Sequence, residues 1–299
     1  MTSGTLVLGV LNVTPDSFSD GGRFASLDAA ITRGSALVAQ GADIVDVGGE
    51  STRPGATPVV RADELDRTIP VVEALAARGH RVSIDTLRAE AAAAAVRAGA
   101  RIINDVSGGD HDPDMLGVAA DASRDHGALY PIGHWRGLPA PAHVRSDYAD
   151  VVREVRDALV ERARAAVAGG VDPAHIVIDP GLGFDKTGEQ GWQLLAHLTE
   201  LAETGYPVLV GASRKRMIAE ALLPTREAGL PVAPDERDLA TSVVSALSAM
   251  AGAWGVRVHD VPSTVQALAI ARAWQRGGDE NAARHDQRID APLQTGGSL

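Results

Sequence analysis

The 299-residue chain contains no cysteine, so it can form no disulfide, use no thiolate nucleophile and bind no metal through sulfur. Its formal net charge of −11 argues against non-specific binding to nucleic acid or to an anionic membrane. No apolar run approaches the roughly 20 residues of a membrane span, and the first residues lack the basic and apolar segments of a signal peptide. We therefore expect a cytoplasmic protein that holds any anionic ligand through local positive charge.

Aromatic residues are also scarce, at 3% of the sequence, so the core must be built from aliphatic side chains. Short β-branched runs alternate with longer alanine-rich segments, which is the pattern of successive βα units. The predicted strands cover residues 6–11, 44–47, 81–86, 101–106, 128–132, 176–180, 207–211 and 255–260. Eight units predict a single-domain α/β protein with a (β/α)8 TIM barrel, and a doubly wound open sheet is the competing fold. We place this domain in residues 1–276 and expect the polar tail 277–299 to be disordered.

Nearly every predicted strand ends on a polar residue, which favours the barrel. In chain order these residues are Asn12, Glu50, Asp85, Asn104, His134, Asp179, Ser213 and His259. The carboxyl ends of barrel strands meet on one face, so these side chains would surround a single pocket.

Two kinds of ligand group can be inferred from this set. Asp85, Asn104 and Asp179 together suit the paired donors of a guanidine-like heterocycle, although each alone would more simply be a helix N-cap or turn residue. The second is an anionic group, because Arg257 and His259 alternate with valines and should both face inward.

Further positive charge lies at Arg53 and in the run Ser213–Arg216, which opens a helix where free backbone N–H groups favour an anion. A phosphate or diphosphate site accounts for this charge, and a solvated basic cluster is the simpler alternative. The loop 12–22 adds oxygen ligands at Asn12, Asp16 and Asp20, which suit Mg²⁺ beside a diphosphate. Phe18 of the same loop could cap an aromatic substrate.

Seven motifs resemble dihydropteroate synthases in order and spacing over residues 5–276. They are NVTPDSFSDGG, GGESTRPGA, SIDT, IINDVSGG, IDPGLGF, LVGASRKR and VRVHD. The resemblance implies condensation of a dihydropterin-methyl diphosphate with p-aminobenzoate, giving dihydropteroate and diphosphate in folate synthesis. It also implies Mg²⁺ as cofactor and a homodimer.

The resemblance further implies a role for individual residues. Those placed on the pterin are Asp85, Asn104, Asp179 and Lys215, with Arg214 stacked on the ring. Those placed on the diphosphate are Arg257, His259 and Asn12, and Asn12 is also the Mg²⁺ ligand. Those placed over the aminobenzoate are Phe18, Thr52, Arg53 and Pro54, with its carboxylate near Ser213, Arg214, Lys215 and Arg216. The residues expected to take part in catalysis are Asp20, Lys215, Arg257 and His259.

The fifth strand departs from the family pattern. Where the family runs through a methionine into the histidine, this chain has Pro131, Ile132, Gly133 and His134. Pro131 removes a backbone donor from an interior strand, and Gly133 removes a side chain expected near the pterin. We expect His134 to be a packing residue rather than a catalyst.

Two alternative functions follow from these residues. A methyltetrahydrofolate:corrinoid methyltransferase would also bind a pterin in a barrel, but it needs no diphosphate site such as Arg53, Arg257 and His259 provide. A catalytically impaired pterin-binding paralogue is the other alternative; the intact loops argue against it, and the altered fifth strand keeps it open.

Overall fold

The computed structural model describes residues 4–13, 22–49, 61–137, 146–225 and 230–289, and it repeats a strand-then-helix unit along these ranges. The strands are β1 (Leu6–Asn12), β2 (Ile44–Gly48), β3 (Val82–Asp85), β4 (Ile102–Asn104), β5 (Tyr130–Gly133), β6 (Ile176–Asp179), β7 (Leu209–Val210) and β8 (Gly255–Val258). The helices are α1 (Gly22–Ala39), α2 (Arg61–Ala76), α3 (Ala89–Arg97), α4 (Met115–His126), α5 (Val151–Ala168), α6 (Gly188–Ala196), α7 (Leu198–Ala202), α8 (Arg216–Leu222), α9 (Asp238–Met250) and α10 (Val261–Ile289). Each of the eight predicted strands overlaps an observed one, as expected for runs of buried β-branched residues.

The strands are all parallel and form a curled sheet covered by helices. Six of them are hydrogen-bonded in the order β4-β3-β2-β1-β8-β7, and β5 and β6 form a separate pair. Single bridges connect the two sheets, at Ile102 with Leu129, Asp105 with Ile132, and Ile178 with Val208. The architecture is therefore α/β and TIM-barrel-like. It places the carboxyl ends of the strands on one face.

The gap between β4 and β5 has a cause in the sequence. The amides of Leu129 and Gly133 donate to Arg101 and Asp105 at 2.9 and 3.0 Å, and the alternation calls for a donor at the residue midway between them. That residue is Pro131, which has no N–H, so this ladder hydrogen bond cannot form. Its carbonyl still accepts from the Asp105 amide at 3.3 Å, which keeps the two strands adjacent.

Gly133 does not leave an empty space in the structure. A Cβ built on Gly133 would lie 2.4 Å from the carbonyl oxygen of Val106, so the backbone after β4 occupies that volume. The same turn is held by the buried Asp105 carboxylate, which accepts from the Ser107 and Gly109 amides and from the Tyr130 hydroxyl. The departure in β5 is therefore matched by a close approach of the β4–α4 turn.

The helices meet the sheet through small and aliphatic side chains, as the composition predicts. In α3 the face toward the core is formed by Ala89, Ala92, Ala95 and Val96, all buried. The last helix, α10, extends to Ile289, beyond the predicted domain boundary at residue 276. The rest of the predicted tail, 290–299, lies outside the described residues, so its disorder stays a prediction. In the described ranges, no helix is long and apolar enough to cross a membrane.

We expect Gly133→Ala to destabilise the protein by about 1–3 kcal/mol, because its methyl group must displace the Val106 backbone. Gly117→Ala is the control, since a Cβ at this position in α4 meets nothing within 4 Å. It should leave stability unchanged or raise it by up to about 1 kcal/mol. Denaturant unfolding of both variants measures the difference, and equal stabilities would show that the β4–α4 turn is not tightly packed on β5.

Candidate active site

A row of polar positions crosses the carboxyl ends of the first four strands. Asn12 is in register with Gly48, Gly48 with Asp85, and Asp85 with Asn104. In-register residues of parallel strands lie at the same height, so these positions form one layer. A Cβ built on Gly48 would lie 3.8 Å from Asn12 Oδ1 and 3.7 Å from Asp85 Oδ2. The glycine therefore leaves the space between the amide and the carboxylate open.

Arg257 of β8 faces this layer, as its alternation with valines predicts. Its Nε donates to Asp46 Oδ2 at 2.5 Å, and its Nη2 donates to Asp85 Oδ2 at 2.5 Å. Burial raises the pKa of Asp85 to about 7; the nearby Asp46 charge adds to this effect, and Arg257 opposes it. One guanidinium is thus shared by two carboxylates at the base of the site.

Asp46 was missed by the sequence reasoning, which treated β2 only as an apolar strand. Its side chain is fully buried, and Oδ2 also lies 3.5 Å from Asn104 Nδ2. Among the described residues, its Oδ1 atom has no hydrogen-bond partner, and neither has the hydroxyl of Ser83, its register neighbour on β3. The signal was present in the sequence: a carboxylate between two buried valines is rare unless it is paired.

Asp179 and Lys215 form the second part of the site. A Cβ built on Gly211 would lie 3.6 Å from Asp179 Oδ2 and 3.8 Å from Lys215 Nζ, so both groups border the same opening after β7. Burial lowers the pKa of Lys215 to about 8, a shift that the Asp179 charge opposes. Lys215 donates to the Leu182 carbonyl, and its Nζ lies 5.1 Å from the centre of the Phe184 ring.

Another lysine, Lys186, is buried in the loop between β6 and α6. Lys186 Nζ donates to the carbonyls of Gly181 and Phe184 at 3.2 and 3.0 Å, and it lies 2.9 Å from His134 Nδ1. Burial lowers the pKa of Lys186 to about 7, and burial together with the Lys186 charge lowers that of His134 to about 2. His134 is therefore a neutral buried partner of Lys186, which agrees with the packing role expected for it. Lys186 itself was not predicted, because no motif distinguishes it from a surface lysine.

The residues from Ser213 to Arg216 diverge in direction. Ser213 Oγ lies 2.9 Å from His259 Nδ1, which joins the ends of β7 and β8. Arg214 forms a two-point ion pair with Asp238 of α9, and Arg216 lies exposed on α8 beside Glu220. The pterin-stacking role predicted for Arg214 stays a prediction.

The other predicted site residues lie outside the described part of the chain. They are Asp16, Phe18, Asp20, Glu50, Thr52, Arg53 and Pro54. Within the described ranges, no group of three His, Asp or Glu side chains could hold a metal ion. The half-buried Asn12 amide fits Mg²⁺, because this ion usually takes one or two protein oxygens and completes its shell with phosphate and water.

Comparisons with known proteins agree on one family. Residues 8–259 match the family described as pterin binding enzyme. The dihydropteroate synthase of Mycobacterium leprae is 53% identical over 275 residues, covering 92% of this chain and 95% of the relative. The structure of Xanthomonas albilineans dihydropteroate synthase with 4-aminobenzoic acid is 44% identical, with a TM-score of 0.81 and coverage of 91% of this chain and 94% of that chain. The same enzyme in complex with 7,8-dihydropteroate is 42% identical, with a TM-score of 0.79 and coverage of 92% and 95%.

The buried Lys186 predicts a pH-dependent stability. Its pKa is about 7 in the folded protein against an ordinary 10.5, so between these values the unfolded chain binds more protons. The contribution of Lys186 to the free energy of unfolding should therefore rise with pH across that window. Between pH 7 and 9, the free energy of unfolding of the wild type should rise relative to that of Lys186→Met by about 1 kcal/mol or more, as measured by denaturant unfolding. A difference that stays constant with pH would contradict the lowered pKa of Lys186.

Proposed function

The chain belongs to the family of pterin-binding enzymes, and we propose that it joins (7,8-dihydropterin-6-yl)methyl diphosphate to p-aminobenzoate through an SN1-like displacement. Its activity is that of dihydropteroate synthase, a transferase of folate biosynthesis. The observation that best supports the proposed mechanism is the convergence of Asp85, Asn104 and Arg257 on one layer, with Asp179 and Lys215 beside it.

The pterin is proposed to bind where these acceptors and donors face the same opening. Asp85, Asn104 and Asp179 offer the carboxylate and amide groups that an aminopyrimidinone edge requires, and Lys215 adds a donor. In the described structure Asp85 accepts from Arg257. We expect pterin N–H groups to take over this carboxylate, which would release one edge of the guanidinium toward the diphosphate.

The leaving diphosphate is proposed to lie between the ends of β8 and β1. Arg257 and His259 would stabilise its developing negative charge, and Asn12 would hold Mg²⁺. Bound Mg²⁺ would supply Lewis-acid neutralisation of the phosphate oxygens. The amine of p-aminobenzoate is neutral at pH 7 and needs no strong general base. Orientation of the substrates and exclusion of water would therefore account for the rest of the rate enhancement.

The roles of the two loops follow from the family resemblance. Asp20 would offset the positive charge that develops on the pterin methylene. Phe18, Thr52, Arg53 and Pro54 would close over the p-aminobenzoate, whose carboxylate would lie near Ser213 and Arg216.

Diphosphate release tests this function. Purified protein with Mg²⁺, the pterin diphosphate and p-aminobenzoate should release diphosphate in step with dihydropteroate formation, and sustained release should stop when p-aminobenzoate is omitted. Pterin binding without release would instead identify a catalytically impaired paralogue, the alternative that the altered β5 leaves open.

Two variants distinguish the loss of the diphosphate site from a loss of folding. Asn12→Ala should lower turnover by about 10²–10³-fold, because it removes the proposed Mg²⁺ ligand without removing a charge. Arg257→Lys should cause a similar loss, since lysine keeps a positive charge beside Asp46 and Asp85 but lacks the planar fork. Arg257→Ala is less informative, because it leaves two buried carboxylates without their cation. Steady-state kinetics and melting temperatures are measured together, and wild-type turnover in either variant would contradict the assigned site.

We also propose that the strands close into a complete (β/α)8 barrel. The single bridges on both sides of the β5–β6 pair support closure. The absent donor at Pro131 accounts for the interrupted ladder between β4 and β5. Cytoplasmic location stays a prediction from the sequence.

Exposed apolar side chains support the proposed homodimer. On α9 these are Leu239, Val243, Leu247 and Met250, spaced along one face, and on α10 they are Ile270 and Trp274. Large apolar patches on a water-soluble surface commonly mark protein interfaces. We expect sedimentation velocity to give a dimer for the wild type and a monomer for Val243→Glu/Leu247→Glu. A wild-type monomer at micromolar concentration would contradict this proposal.

A further inference from the structure

Arg214 has an unusual backbone conformation at a critical point of the site. Its φ is 59°, in the left-handed region that non-glycine residues rarely occupy, and it stands between Ser213 and Lys215. Among the described residues only one other non-glycine, Asp185, has positive φ. Such a conformation persists only where surrounding contacts hold it.

The start of α9 supplies those contacts on three sides of the residue. Asp238 accepts from Arg214 Nε at 2.8 Å and from its Nη2 at 2.7 Å. The Arg237 guanidinium donates to the Arg214 carbonyl at 2.7 Å, and the Arg214 amide lies 3.4 Å from the Thr241 hydroxyl. The side chain, the carbonyl and the amide of one residue are thus all held by a single turn of helix.

The neighbours of Arg214 both point at groups of the proposed site. The Ser213 hydroxyl is within hydrogen-bonding distance of His259 at the end of β8. Lys215 donates to the Leu182 carbonyl and lies over the Phe184 ring. A change in the Arg214 backbone would move both neighbours at once, because the peptide units on its two sides rotate with its φ and ψ.

We propose that Asp238 and Arg237 are positioning residues that keep Arg214 left-handed and so aim Ser213 and Lys215 into the substrate site. The Arg214 guanidinium is a strut between the β7–α8 turn and α9. This role differs from the pterin stacking that the family resemblance implies, and it rests on the proposed function for its kinetic consequence.

A double-mutant cycle of Arg214→Ala and Asp238→Ala tests the strut. Each single variant should lower kcat/KM about 10- to 100-fold, and the double variant should lose no more than either single one. Asp238→Glu should recover part of the loss. A loss from Arg214→Ala tenfold larger than that from Asp238→Ala would overturn the proposal, because Arg214 would then contact substrate itself. Wild-type kinetics in Asp238→Ala would overturn it as well.

Hydrogen exchange gives a readout that does not depend on turnover. The amides of residues 212–216 should exchange about tenfold faster in Asp238→Ala than in the wild type. The control is Asp121→Ala, which removes the exposed Arg124–Asp121 ion pair on α4 and should change neither exchange at 212–216 nor kcat/KM. Unchanged exchange in Asp238→Ala would overturn the proposal even if the wild type makes dihydropteroate. Faster exchange in a wild type that releases no diphosphate would support the strut while the proposed function fails.

Discussion

The rest of the site depends on the sharing of Arg257 between two buried carboxylates. Asp46 and Asp85 lie on neighbouring strands, where two negative charges removed from water would be costly without a cation between them. The planar guanidinium can serve both at once, which the compact charge of lysine cannot do. A buried cluster of this kind contributes little net stability relative to apolar residues of similar volume. Stability alone therefore does not account for this cluster, and a role in ligand binding does.

Sequence reasoning was strongest where structure is determined locally. All eight strands, and the placement of Asp85, Asn104 and Asp179 at their ends, follow from apolar runs that stop at polar residues. The ends of the helices were harder to predict, as in the segment after β6, where α6 and α7 are separate helices that meet at His197. The residues at which helices begin and end depend on capping and packing, which the spacing of apolar residues does not reveal.

Contacts between distant residues were beyond such reasoning. Asp46 and Arg257 are 211 positions apart, and Arg214 of the β7–α8 turn is 24 positions from Asp238 of α9. The partner of a charged side chain is decided by sheet order and helix packing, which no motif records. Lys186 shows the same limit, because its burial against His134 depends on how the loop after β6 folds back. The roles of the loop residues 14–21 and 50–60 rest on residue chemistry and family resemblance, since these residues lie outside the described part of the chain.

The charge balance of the site explains why β1 should present an amide rather than a carboxylate. The acids of the site are Asp46, Asp85 and Asp179, and the bases near them are the buried Lys186 and the half-buried Lys215 and Arg257. The buried Glu64 and Asp105 also act on Asp85, so the acids already offset these bases before any ligand enters and a diphosphate needs positive charge from elsewhere. The proposed Mg²⁺ and Arg53 would supply that charge. Asn12 can give the metal an oxygen without adding a negative charge beside the diphosphate, whereas an aspartate at this position would repel the leaving group that the metal is there to stabilise.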